Sequence, residues 1–311
     1  MRTGLFLGEN TAPGESLDTH IARVQQAERD GFSSAWFTQE FGLDALMLAA
    51  LVGRVTTRIE LGTAVVPTYP RHPVTVAQQA LTAQVASGGR FALGVGLSHQ
   101  VLIETMYGLS FAKPYSHMKE YLAVLAPLIR AGSVAFVGSE FTVNASVTVT
   151  GATPCPILLA ALAPKMLGLA GAIGDGTITW MTGPKTLREH TIPRLHAAAA
   201  AAGRPGPRVI AGFPVAITED APAARAAAGR IFQLYGVLPS YRAMLDREGV
   251  DAPEDVAIVG DEAAVGARLD ELAALGVTDF AAGLFPAGAD PVATVARGWS
   301  FLAERARRAA G

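Results

Sequence analysis

Reactive side chains are few in this chain, and their spacing excludes more chemistry than it supports. The six histidines (His20, His72, His99, His117, His190 and His196) show no paired ligand spacing, so no metal site is expected and metal-assisted hydrolysis has no basis. Cys155 is the single cysteine. It can neither close an internal disulfide nor build a thiolate cage, and its place between Pro154 and Pro156 reads as a small core or loop residue. Gly94-Val-Gly96-Leu-Ser-His99 begins like a dinucleotide fingerprint, but histidine stands where the third glycine belongs and a long loop is expected to follow. Gly96-Leu-Ser98-His-Gln100 lacks the closing glycine of a nucleophile elbow. With no Walker loop, no His-Glu-x-x-His and no convergent carboxylate pair or triad, a cofactor-free hydrolase or isomerase is the most remote of the alternatives.

The composition narrows the partners. Apolar residues make up 50% of the 311 and charged residues 17%, against roughly 25% charged in ordinary soluble domains. A formal charge of −2 gives no net positive field for a phosphate backbone, so nucleic acid is not expected as a partner. Neither is a membrane: the longest near-uncharged tract, Pro156 to Gly174, is cut by Pro164 into a strand-length and a helix-length piece. The apolar run within Met1–Glu9 is too short for a signal peptide and carries no cleavage pattern, so a cytoplasmic location is expected. The oily helices suggest a homodimer.

Strand-length and helix-length runs alternate along the chain. Thr3–Gly8 reads as a strand, Ser16 caps a helix to Asp30, Gly31 ends it, and Ser34–Thr38 is the next strand. Further strands are read at Ile59–Val66, Arg90–Val95, Ile157–Ala161, Thr177–Met181, Val209–Ile217 and Thr278–Phe285. Strands separated by helices must pair in parallel. Eight such units without a break in composition predict one α/β domain over residues 1–311, a (β/α)8 TIM barrel. It carries an insertion after the fourth β/α unit, about 133–150, with a hairpin turn at Gly138-Ser139, and a long helical excursion before strand eight, about 220–272. An open doubly wound sheet is the alternative.

In a barrel the site is built by the loops after the C-terminal ends of the strands. Those segments, from Gly8–Gly14 round to Pro286–Asp290, are rich in small residues and poor in acids and bases, which suits a large planar cofactor. Several of them are recognisable. Ala35-Trp-Phe-Thr-Gln-Glu-Phe41, Leu61-Gly-Thr-Ala-Val-Val66, Tyr69-Pro-Arg-His-Pro73, Gly88-Gly-Arg-Phe-Ala-Leu-Gly-Val-Gly96, Ala163-Pro-Lys-Met-Leu-Gly-Leu-Ala170 and Gly174-Asp-Gly176 resemble the luciferase-like flavin and deazaflavin superfamily. The Ala-Pro-Lys-Met-Leu stretch is more similar to its coenzyme F420-dependent branch, which includes methylenetetrahydromethanopterin reductase and F420-dependent glucose-6-phosphate dehydrogenase.

The resemblance implies an oxidoreductase that transfers a hydride at deazaflavin C5. It implies a bulge after strand three, often with a non-prolyl cis peptide, bracing the ring; here that is Gly62, Thr63, Ala64 and Val65. It implies a phosphate held at Ala161, Leu162, Ala163, Met181, Thr182 and Gly183, with unsatisfied amides of the helix from Pro164 and the charge of Lys165 nearby. Gln39 and Ser98 complete the implied cofactor contacts; Tyr69 and Tyr107, on or near mouth loops, are expected to line the substrate pocket. Glu40 and His99 are the implied proton handlers; they depart from the family pattern, which often has histidine after strand two and an acid after strand four. Arg71 and His72 are expected to tie their loop to the next helix. The mouth offers few cations for a sugar phosphate, so the implied substrate is a less charged small molecule with a C=C, C=N or C=O bond. Two alternatives remain: an FMN-dependent monooxygenase using O2, for which Arg71 and Arg90 would be the phosphate-gripping candidates, and a cofactor-binding barrel without turnover.

Overall fold

Eight apolar strands separated by helices do close on themselves. A computed structural model describes residues 1–8 and 16–310, so most of the mouth segment Gly8–Gly14 lies outside the described residues. The barrel strands are β1 (Arg2–Leu7), β2 (Ser34–Phe37), β3 (Glu60–Thr63), β4 (Phe91–Gly96), β5 (Ile157–Leu159), β6 (Gly176–Trp180), β7 (Arg208–Ile217) and β8 (Asp279–Leu284). Each pairs in parallel with the next, and Arg2 opposite Asp279 closes the ring. Alternate residues face opposite ways along each strand. Phe6, Trp36, Ala92, Leu158, Ile178, Ile210 and Ala281 fill the barrel. Leu5, Leu7, Ala35, Phe37, Leu61, Leu93, Leu159 and Phe213 pack outward under the helices. Both faces are covered, which explains the continuous apolar runs.

The helix signals translate directly. The Ser16 hydroxyl accepts from Thr19 N–H at 3.2 Å and Gly31 closes α1 (Leu17–Asp30) with φ 94°, where a Cβ would be strained. His72 caps α3 (Pro73–Ala86), its Nδ1 accepting from Val74 N–H, as expected. Arg71 instead reaches back to Asp44, the cap of α2 (Ala45–Gly53), at 2.5 Å. The insertion after α4 (Pro114–Ala131) is an antiparallel hairpin, Ser133–Val137 with Thr142–Ser146, whose Gly138 N–H bonds to Phe141 O. The alanines from Ala197 to Ala201 lie in α6 (Ile192–Ala201), which crosses α5 (Pro164–Ala172) so closely that a Cβ on Gly171 would fall 2.4 Å from Leu195 O.

Two expectations need correction. The tract 220–272 is not one helical excursion. Helices Ala221–Ile231 and Pro239–Glu248 flank a 3-10 turn, and the strand Ile258–Gly260 then pairs in parallel with Val215–Ile217 before α7 (Glu262–Ala274). Gly236, Pro239, Gly249 and Pro253 break the helical pattern and allow the short strand. The strand read at Ile59–Val66 stops at Thr63 and resumes at Val66–Pro67, with the Ala64–Val65 cis peptide between the two pieces.

Candidate active site

The bulge after β3 is built by its neighbour. Gly94 and Gly96 of β4 leave the space it occupies: a Cβ on Gly94 would sit 2.0 Å from Thr63 O, and one on Gly96 would sit 2.6 Å from Val65 Cγ2. The Thr63 hydroxyl, fully buried, donates to Gly94 O at 2.8 Å and accepts from Gly94 N–H at 2.9 Å. Those two bonds replace the ladder that the bulge interrupts. Gly62 lies against the Trp36 ring with no room for a side chain. Gly62 and Thr63 are therefore support, while Ala64 and Val65 are half-buried and join the inner cluster with Ala160. The Gly-x-Gly that imitates a dinucleotide fingerprint is the bed of this bulge.

The loops after β4, β5 and β6 stand beside it. Ser98 and Met181 hold left-handed backbone, φ 62° and 51°, a region where a non-glycine residue costs about 1–2 kcal/mol. The expected long loop after β4 contains a short helix, Gln100–Thr105, with His99 at its cap position. Ala161 is buried; the Leu162 carbonyl accepts from His190 Nε2 at 2.7 Å. Ala163 caps α5 with no side-chain acceptor, so the amides of its first turn are available to an anion. Lys165 Nζ lies over the Tyr115 ring, 5.6 Å from its centre. Thr182 and Gly183 are buried, and beyond them the amides of Lys185 and Thr186 donate to the Glu248 carboxylate at 3.1 and 2.7 Å.

The β2 loop carries the acid. Glu40 Oε1 accepts from the Thr38 hydroxyl at 3.0 Å. The Gln39 side chain accepts from Ala45 N–H at 2.9 Å, which seats the loop on α2. Facing these loops is an aromatic wall that the sequence reading missed. Phe6 stacks on Trp180 at 4.6 Å; Phe232 and Tyr235 meet Trp180 edge-on at 5.8 and 6.4 Å. Tyr241 packs on Tyr235 at 4.7 Å and on the His99 ring at 5.8 Å. Burial lowers the His99 pKa, so its imidazole is neutral at neutral pH. The Tyr235 phenol is held well above its usual range by burial and then by the Glu40 charge, against a lowering contact from the Trp180 indole. Glu40 and His99 thus border one aromatic wall from opposite loops. Gly236 and Pro239 mark in the sequence that the chain turns there, without showing which end of the barrel it covers.

The other residues singled out from the sequence do not contact the Trp180 wall. Tyr69 stacks on His117 at 3.9 Å and on Phe111 at 5.0 Å, beside the hairpin and apart from the Trp180 wall. Tyr107 is exposed. Arg90 lies at the opposite end of the barrel, donating to the carbonyls of Gly53, Thr56 and Ile59. Cys155 is buried, its thiol pushed up to about 12 by burial, and is inert. Among the described residues no group of three or more His, Cys, Asp or Glu could hold a metal, and no helix is long and apolar enough to cross a membrane.

Known proteins share this architecture. A family model described as luciferase-like monooxygenase matches residues 1–279. A 5,10-methylenetetrahydromethanopterin reductase of Methanolobus tindarius is 30% identical over 249 residues, covering 79% of this chain and 75% of the relative. The coenzyme F420-dependent tetrahydromethanopterin reductase of Methanopyrus kandleri superposes with a TM-score of 0.80 at 22% identity, covering 97% of each chain. The oxygenating constituent of 3,6-diketocamphane monooxygenase from Pseudomonas putida, in complex with FMN, superposes at 0.76 with 17% identity, covering 97% of this chain and 96% of that one. At those identities the two structures establish the fold alone. The chain belongs to the luciferase-like monooxygenase family and is an enzyme of the oxidoreductase type.

Proposed function

From that membership we propose that this enzyme uses coenzyme F420 and transfers a hydride between it and a small or medium organic substrate with a C=C, C=N or C=O bond. The observation that carries the reading is the Ala64–Val65 bulge, a small apolar platform bedded on Gly94 and Gly96, with the uncapped start of α5 on the same rim. A flat ring fits the first and a phosphate the second. The deazaflavin, when bound, supplies the hydride at C5.

The residues of the chain do the rest. Ala64 and Val65 brace the ring, with Gly62 and Thr63 fixing them from beneath and Gln39 and Ser98 setting the flanking loops. Ala161, Leu162, Ala163, Met181, Thr182 and Gly183 hold the phosphate arm through backbone amides and small side chains. Glu40 and His99 move the proton that accompanies hydride transfer at the substrate. Tyr69 and Tyr107 border the outer entrance. Arg71 is engaged by Asp44 and Arg90 sits at the far end of the barrel, so neither arginine that would favour FMN is available to grip its phosphate.

Titration with F420 and with FMN tests the reading: micromolar binding of F420, with FMN weaker, is expected. Stopped-flow loss of reduced-F420 absorbance with enones or imines then tests turnover; absence of F420 binding at micromolar levels refutes it. The enzyme works in the cytoplasm as a homodimer. Met47 and Leu51 on α2, with Leu43 and Val55 just beyond its caps Asp44 and Arg54, are exposed apolar residues, which a second copy covers about a twofold axis. Light scattering that finds a monomer refutes the dimer, and Met47→Lys is expected to produce one.

A further inference from the structure

The segment 232–248, a 3-10 turn followed by the helix Pro239–Glu248, links two parts of the site. Its first part puts Phe232 and Tyr235 on Trp180, and Tyr241 then reaches the His99 ring. Its last residue, Glu248, is half-buried and accepts from Lys185 and Thr186 N–H, in the helical turn Pro184–Thr186 that follows Met181, Thr182 and Gly183. The fit is tight: a Cβ on Gly183 would stand 2.2 Å from the Glu248 carboxyl carbon. Thr186 adds a second tie, its hydroxyl donating to Met244 O at 3.4 Å. Behind this joint lies a cavity of about 340 Å³ on the outer side of β7, lined by Pro184, Glu248, Val250 and Asp255 among others. Beside this space the helix end is fixed by the carboxylate bonds together with the buried Met244 and Leu245.

The wall has a definite chemistry. Tyr235 and Tyr241 are partly accessible, flat and uncharged. Among the described residues they pack against Trp180 and a neutral His99 and feel the charge of the Glu40 carboxylate, so an anion there meets repulsion. Aromatic faces prefer offset or edge contacts with other flat π systems.

We propose that residues 232–248 are the specificity-determining wall of the mouth, that they select a flat, conjugated and non-anionic substrate, and that Glu248 is the positioning residue that sets the wall over the site. The inference deepens the F420-dependent reading by naming its substrate class. It is tested by calorimetric binding to the cofactor-free chain of three probes: 2-acetylnaphthalene, which is flat and neutral; 2-naphthoate, its anionic counterpart; and cyclohexyl methyl ketone, which is neutral but not flat. 2-Acetylnaphthalene is expected to bind about tenfold more tightly than either of the others, the scale of one good aromatic contact. Tyr241→Ala abolishes that preference. Glu248→Ala weakens 2-acetylnaphthalene about tenfold, and Glu248→Gln, which keeps one acceptor oxygen for the same amides, restores part of the loss. Equal binding of the naphthoate, or unchanged binding in Glu248→Ala with circular dichroism of the native fold, overturns the proposal. F420 is titrated separately, so a chain that binds F420 without preferring 2-acetylnaphthalene refutes the wall alone, and the converse refutes the cofactor alone.

Discussion

At the N-terminal end of the barrel Arg2 and Arg208 meet Glu60 and Asp279, while at the C-terminal end Glu40 and a neutral His99 border an aromatic wall. The floor is a closed ion network. Arg208 donates to both Glu60 oxygens at 2.6 and 3.2 Å and to both Asp279 oxygens, its charge maintained by those carboxylates against its burial. Asp279 is almost fully buried and also accepts from Thr278. The mouth invests in shape instead: a cis bulge, two left-handed residues and stacked rings. The difference separates two jobs. Buried charge at the floor must be paired to be tolerated, so it fixes how the strands close; at the mouth a low charge density leaves room for a bound group to bring its own.

The sharpest way to break the contrast is to unpair the floor. Arg208→Met leaves Asp279 and Glu60 sharing one arginine and is expected to cost about 3–5 kcal/mol in urea unfolding. A loss below about 1 kcal/mol would mean that the network is not a closing device. Next is pH. His117, buried under Tyr69 beside the hairpin, is held down to about 4 by burial, against the opposing pull of Glu140 and Glu120. Its neutral form is the one the fold accepts, so its contribution is complete above the unfolded pKa of about 6.5 and is lost as pH falls towards 4, by up to about 3 kcal/mol. His117→Gln should flatten the stability profile across that window.

The bulge is expected to be softer than the floor. Gly96→Ala drives a Cβ into Val65 and should cost about 1–3 kcal/mol, with weaker F420 binding because the platform moves. The smallest stability changes belong to the proton handlers: Glu40→Gln and His99→Gln should stay within about 0.5–1 kcal/mol of the parent. Their turnover should nevertheless fall roughly 10²–10⁴-fold, the usual weight of a general acid or base. Stability loss at Glu40 as large as at Arg208 would erase the distinction between the two ends.

Local signals made most of the barrel legible. Ser16, Gly31 and His72 act on neighbours within a few residues, and the strands are runs buried on both faces. The bulge was legible through the resemblance of Leu61–Val66, and Gly94 and Gly96 supply its physical reason. The floor was not, since Arg2, Glu60, Arg208 and Asp279 are far apart in sequence and meet only through parallel closure. The wall escaped for another reason. Its rings lie in a tract whose alanine-rich start reads as continuous helix, and the breakers Gly236 and Pro239 say where the chain turns but not which barrel end it covers. Glu248 looks like one more surface acid until the tertiary fold brings Lys185 to it.

The most direct test of the central claim is an equilibrium titration of the purified enzyme with F420 and with FMN under one set of conditions. Micromolar F420 binding, at least about tenfold tighter than FMN and weakened by Gly96→Ala, is the predicted result. Tighter FMN binding, or no F420 binding at all, would contradict it.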